Sequence, residues 1–173
     1  MKAGIFSTVF QRDSLESVLD AIVEVVILAT QWHMSCAGID QIPESIPDGL
    51  CERIRQASAA RGIEIGGLSG TFNMIDTDLD AREAGFRGLE VLASHAGELG
   101  TSVVTLCSGT RADYLWRPHP DNNSESAWHD MIASMERAAE IAERHDVFVA
   151  FEPEVSNVID SAEKAKRAID TVG

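Results

Sequence analysis

The chain has 173 residues, 45% of them hydrophobic, and its 14 basic and 28 acidic side chains give a formal charge of −14. That length buries one core of ordinary size, so a single domain spanning residues 1–173 is expected. An acidic surface of this size repels phosphate backbones and anionic bilayers, which argues against nucleic-acid and membrane partners.

Lys2–Phe6 reads as a short strand. Ser14 to about Val23 follows with the helical spacing Leu15, Val18, Leu19, Ile22 behind a Ser14 or Asp13 cap. The next strand lies within Val26–His33. Asp48–Arg61 reads as a helix stopped by Gly62, and Ile63–Leu68 as the third strand, punctuated by Ser69-Gly70. Asp78–Leu99 is a long helix ended by Gly100. Then come a strand at Ser102–Cys107, a helix from Ser126 to about Arg144, a strand at Asp146–Phe151 and a helix at Ser161–Thr171. Within the fourth helix Met131, Met135 and Ala138 to Ile141 form a core stripe. Five strands alternating with five helices predict a parallel α/β sheet.

The loop after the first strand, Ser7-Thr8-Val9-Phe10-Gln11, holds no glycine, which disfavours a dinucleotide-binding turn. Long polar loops follow strands two, three and four, at Ser35–Pro47, Ser69–Thr77 and Ser108–Ser124, whereas the helix-to-strand turns are tight. That asymmetry suits a (β/α) barrel with its site at the carboxyl ends of the strands. The start of the chain has too short an apolar stretch for a signal peptide, and Ala21–Thr30 is short and broken by Glu24, so a cytoplasmic location is expected. Cys36, Cys51 and Cys107 lack CxxC spacing and read as free thiols.

Val147–Glu154 carries the strongest functional signal: an apolar strand running into Glu152-Pro153-Glu154. Pro153 keeps Glu152 extended and ends the ladder, and Glu154 falls on the same side, which makes either a pair of carboxylates suited to a divalent cation or a strand that simply ends in solvent. Gln31 and His33 share a parity on strand two and point to the mouth as substrate contacts or as hydrogen-bonded structure, while Trp32 packs under the helices. Trp116 and His119 sit in the longest loop, where the imidazole suits a place in the site and Trp116 either offers an aromatic face to a ligand or anchors the loop against the barrel rim. Asn73 is a substrate contact or turn chemistry. Arg111 and Arg117 meet a phosphate or carboxylate, or make surface ion pairs. His95, His129 and His145 receive no role.

Four segments in order carry a resemblance: Ser69-Gly70-Thr71-Phe72-Asn73-Met74, Leu106-Cys107-Ser108-Gly109-Thr110-Arg111, Trp116-Arg117-Pro118-His119-Pro120-Asp121-Asn122, and Phe151-Glu152-Pro153-Glu154 with Asn157-Val158. Together they resemble the xylose isomerase-like TIM-barrel superfamily of sugar and sugar-phosphate isomerases and epimerases, with endonuclease IV-like phosphodiesterases as cousins. The resemblance implies a divalent metal (Mn, Mg, Co or Zn) at the barrel mouth, Glu152 matching the ligand at the end of the fifth strand and standing as the catalytic carboxylate. It implies a small sugar or sugar phosphate isomerised or epimerised through an enediolate. The family's other ligands, an Asp, a His and a second Glu, lie on strands six to eight. Five units of an eight-unit barrel are expected here, truncated, with one metal ligand of four and possession of the metal in doubt. Three functions stay open: an isomerase or epimerase, a catalytically inactive binding or oligomerising protein, and an endonuclease IV-like phosphodiesterase. Unpaired edges on strands one and five predict a homo-oligomer.

Overall fold

The computed structural model describes residues 2–173. Five strands, β1 (Ile5–Phe6), β2 (Ala29–Trp32), β3 (Glu64–Ser69), β4 (Val103–Leu106) and β5 (Phe148–Phe151), form one sheet in the order β1-β2-β3-β4-β5. All four pairings are parallel. Each strand is joined to the next through a helix: α1 (Leu15–Glu24), α2 (Leu50–Ala59), α3 (Leu79–Leu99) and α4 (Glu125–Arg144), with α5 (Ala162–Val172) following β5. Strand order that never reverses is the winding of a (β/α) barrel, since a doubly wound sheet turns back at a switch point. The fold is thus a partial TIM barrel, with β1 and β5 at its open edges.

The element boundaries have local causes. Ser14 and Ser17 form a reciprocal capping pair at the start of α1. Asp78 caps α3 by accepting from the Asp80 and Ala81 amides, and Gly100 ends it at a φ of 85°. The second helix starts at Leu50 rather than Asp48 because Gly49 precedes it in the left-handed conformation. β1 is shorter than Lys2–Phe6 because only Ile5 and Phe6 find partners, Thr30 and Gln31, on its single paired side.

Strand parity divides the sheet into two faces. Trp32, Leu68, Val104 and Leu106 turn outward and are buried beneath the helices with Leu19, Ile22, Ile54, Leu89, Leu92 and Met131. Ala29, Gln31, Thr105 and Ala150 turn the other way onto the concave face. β3 keeps both Ile65 and Leu68 on the helix side, which strict alternation forbids. Thr30 pairs with Ile65 and Gln31 with Gly67, so Gly66 is the extra residue of a bulge that resets the parity.

Two glycines of α3 set how closely the mouth loops sit on the helix layer. A Cβ on Gly85 would stand 2.1 Å from the Phe72 ring, and one on Gly88 2.1 Å from Ile42 Cγ2. The loops after β2 and β3 therefore pack directly on the helix backbone. No helix of the described residues is long and apolar enough to cross a membrane.

Candidate functional site

The carboxyl ends of the strands open onto a cleft of about 590 Å³. Every strand contributes to its lining: Phe6 from β1, Gln31 and His33 from β2, Ser69 and Thr71 from β3, Thr105 and Cys107 from β4, and Ala150 and Glu152 from β5. Gln41, Trp116 and Glu154 enter from the loops. Of the residues expected from sequence, Gln31, His33, Trp116 and Glu152 are brought together here, with Glu154 beside them.

The polar groups of the cleft are held in defined roles. Gln31 donates from Nε2 to Thr105 Oγ1 at 2.7 Å, and Thr105 Oγ1 donates to the Leu68 carbonyl at 3.2 Å. The Ser35 amide donates to His33 Nδ1 at 3.3 Å, with Ser35 Oγ 2.6 Å from the same nitrogen. Nδ1 is thereby the acceptor, and the proton of the neutral ring sits on Nε2. Burial pushes the His33 pKa below the ordinary imidazole value, against a smaller opposing effect of Gln41, so the ring is neutral at pH 7. Cys107 Sγ lies 3.4 Å from the Phe72 carbonyl, and burial pushes its thiol up to about 11, so it stays protonated. All three cysteines are free.

Asn73 and His119 lie outside the cleft lining and hold structure. Asn73 donates to the Thr110 carbonyl at 2.9 Å and accepts from the Thr110 amide at 3.0 Å, locking the β3 and β4 loops together. His119 caps the short helix Pro120–Asn123, its Nδ1 accepting from the Asp121 amide at 3.2 Å. Both arginines take the ion-pair alternative. Arg111 binds Asp130 at 2.5 Å and the Ile75 carbonyl at 3.1 Å, and Arg117 binds Asp113 at 2.5 Å. His145, given no role from sequence, sits 2.6 Å from Glu90, which also pairs with Arg144.

The feature that sequence reasoning missed is a set of buried amides that joins the loops. Asn157 accepts from the Gly109 amide at 3.2 Å and donates to the Leu115 carbonyl at 3.0 Å. Asn122 accepts from the Arg111 amide at 2.8 Å and donates to the Ser156 carbonyl at 2.9 Å. Ser108 Oγ accepts from the Ile159 amide at 2.9 Å. The loop carrying Trp116 and the loop carrying Glu154 are thereby one rigid body over the cleft. The only sequence signal was an excess of Asn and Ser in loops, which does not say which amide meets which carbonyl.

Residues 25–173 match the family model of xylose isomerase-like TIM barrels. The chain belongs to this family. Solved structures agree on the fold. A D-psicose 3-epimerase determined in the presence of D-fructose superposes with a TM-score of 0.74 at 16% identity, over 100% of this chain and 60% of its own. A xylose isomerase-like TIM barrel protein from Mycobacterium smegmatis in complex with magnesium gives 0.71 at 13%, over 99% of this chain and 60% of its own. An apo 3-keto-D-glucoside 4-epimerase from E. coli gives 0.72 at 16%, over 98% and 64%. The chain thus spans 60 to 64% of the length of these relatives, and at such identities the likeness establishes the fold alone. No curated protein matches the sequence significantly.

The magnesium-bound relative raises the question of whether this chain's own donors suit a divalent ion. Glu152 and Glu154 bring two carboxylates to the cleft, but His33 already uses Nδ1 on Ser35. Among the described residues no group of three or more His, Cys, Asp or Glu is placed to hold a metal. The donor set does not fit a complete metal site, since a divalent cation takes more ligands than two carboxylates supply.

Proposed function

We propose that this chain forms the sugar-facing wall of an isomerase or epimerase site. The carrying observation is the convergence of Gln31, His33, Trp116 and Glu152 on one cleft at the carboxyl ends of the strands. Gln31 and the Nε2–H of neutral His33 hydrogen-bond the hydroxyls and carbonyl of a sugar, and Trp116 covers its apolar face. Glu152 takes the proton from the carbon next to the carbonyl and returns it, the step shared by aldose–ketose isomerisation and epimerisation. The two epimerases among the superposed structures support this reading.

Hydrogen exchange tests it directly. A panel of ketohexoses incubated with the protein in D2O should gain deuterium at the carbon next to the carbonyl, and Glu152→Gln should lower that rate by about 100-fold or more. Binding without exchange would instead favour a sugar-binding protein without turnover, a reading supported by the shortage of metal donors.

Self-assembly in the cytoplasm belongs to the same proposal. β1 and β5 close the sheet at unpaired edges, and Phe6 and Phe148 are exposed by 48% and 72%. Sedimentation should show a dimer or larger; a monomer at micromolar concentration would contradict this part.

A further inference from the structure

Anions are bound in proteins by arginine forks, by the free amides of a helix N-terminus, or by successive backbone amides that form a nest. Near this cleft two arginines, the first turns of α3, α4 and α5 and one run of loop amides already hold protein acceptors, and α2, which has no side-chain cap, does not line the cleft. Arg111, 13% exposed, is held by Asp130 and the Ile75 carbonyl, and Arg117 by Asp113. Asp78, Ser124 and Ser161 take first-turn amides of α3, α4 and α5, the helices that follow β3, β4 and β5.

The run of loop amides lies behind the cleft lining. Gly109, at a φ of 77°, begins a run of three successive amides in the loop after β4. The Gly109 amide donates to Asn157 Oδ1 at 3.2 Å, the Thr110 amide to Asn73 Oδ1 at 3.0 Å and the Arg111 amide to Asn122 Oδ1 at 2.8 Å. Three neutral carboxamide oxygens thus take these amides, and none of the three amides is among the residues lining the cleft. The charged groups that do line the cleft are Glu152 and Glu154, and among its described lining residues none is Lys or Arg.

We propose that the cleft takes an uncharged polyhydroxy carbonyl compound and discriminates against its phosphate ester. This rests on the sugar-binding reading above and narrows it. A phosphate ester brings a charge of about −2 at neutral pH toward two carboxylates, with no lysine or arginine among the described lining residues to offset it.

Calorimetric titration of the protein with D-fructose, D-tagatose and D-psicose, each beside its 6-phosphate, tests the proposal. At least one free sugar should bind about tenfold or more tightly than its own ester at about 0.02 M salt. Raising the salt to about 0.5 M should strengthen ester binding and leave the free sugar unchanged, because only the repulsion is screened. Glu154→Gln should also strengthen ester binding at low salt. An ester that binds as tightly as its sugar, or whose affinity falls with salt, would overturn this inference and leave the sugar-binding reading standing. Failure of both sugars and esters to bind would overturn the sugar-binding reading, and this inference with it.

Discussion

The two faces of the same five strands differ in what one residue step accomplishes. On the helix side Leu68 and Val104 are sealed among large apolar side chains. On the concave side Gln31, Thr105 and Ala150 are open to the cleft, beside bare backbone at Gly66 and Gly67. Adjacent residues of one strand thus carry the core and the proposed ligand contacts separately, and the bulge at Gly66 keeps the two sets from mixing.

The comparison breaks most visibly in the core. Leu68→Ala should cost about 2–5 kcal/mol in denaturant unfolding, whereas Ala150→Ser, on the concave face, should stay within about 0.5 kcal/mol. Equal costs would mean that the faces are not divided as described. Gly85→Ala comes next: its Cβ would collide with the Phe72 ring at 2.1 Å, for an expected loss of about 1–3 kcal/mol. Asn157→Ala probes the seam between the faces. It strands the buried Gly109 amide and releases the part-buried Leu115 carbonyl, which should cost about 1–3 kcal/mol and loosen Trp116, read as greater acrylamide quenching of its fluorescence.

The smallest expected effect is a pH dependence. Burial holds the His33 pKa below its unfolded value, so the unfolded state takes up the proton first as the solution is acidified. The stabilisation is complete above the unfolded value, falls as pH drops below it, and levels off once the lower folded value is passed. Between about pH 7 and about pH 5 the wild type should therefore lose more stability than His33→Gln in urea titrations.

Much of this was legible in the sequence because it depends on periodicity. The alternation of Gln31, Trp32 and His33 placed the tryptophan under the helices and its neighbours at the mouth, as found. The Met131 and Met135 stripe is core. What stayed hidden depends on contacts between residues far apart in the chain. Nothing near Asn73 shows that both ends of its amide close on Thr110, and nothing near His119 shows that its ring caps the following turn. The Gly66 bulge was equally invisible, since Ile63–Leu68 reads as a plain strand until its register against β2 is known. Arg111 illustrates the same limit: its partner Asp130 lies on the next helix, and only the fold brings the two together.

The concave mouth, and no other surface, is the proposed ligand site. Amide chemical-shift mapping during titration with D-fructose, D-tagatose and D-psicose tests it most directly. Shifts are expected at Gln31, His33, Trp116, Ala150 and Glu152, with Leu89, Ile141 and Ala168 on the helix side unmoved. Shifts confined to the helix layer, or none with any of these sugars, would contradict it.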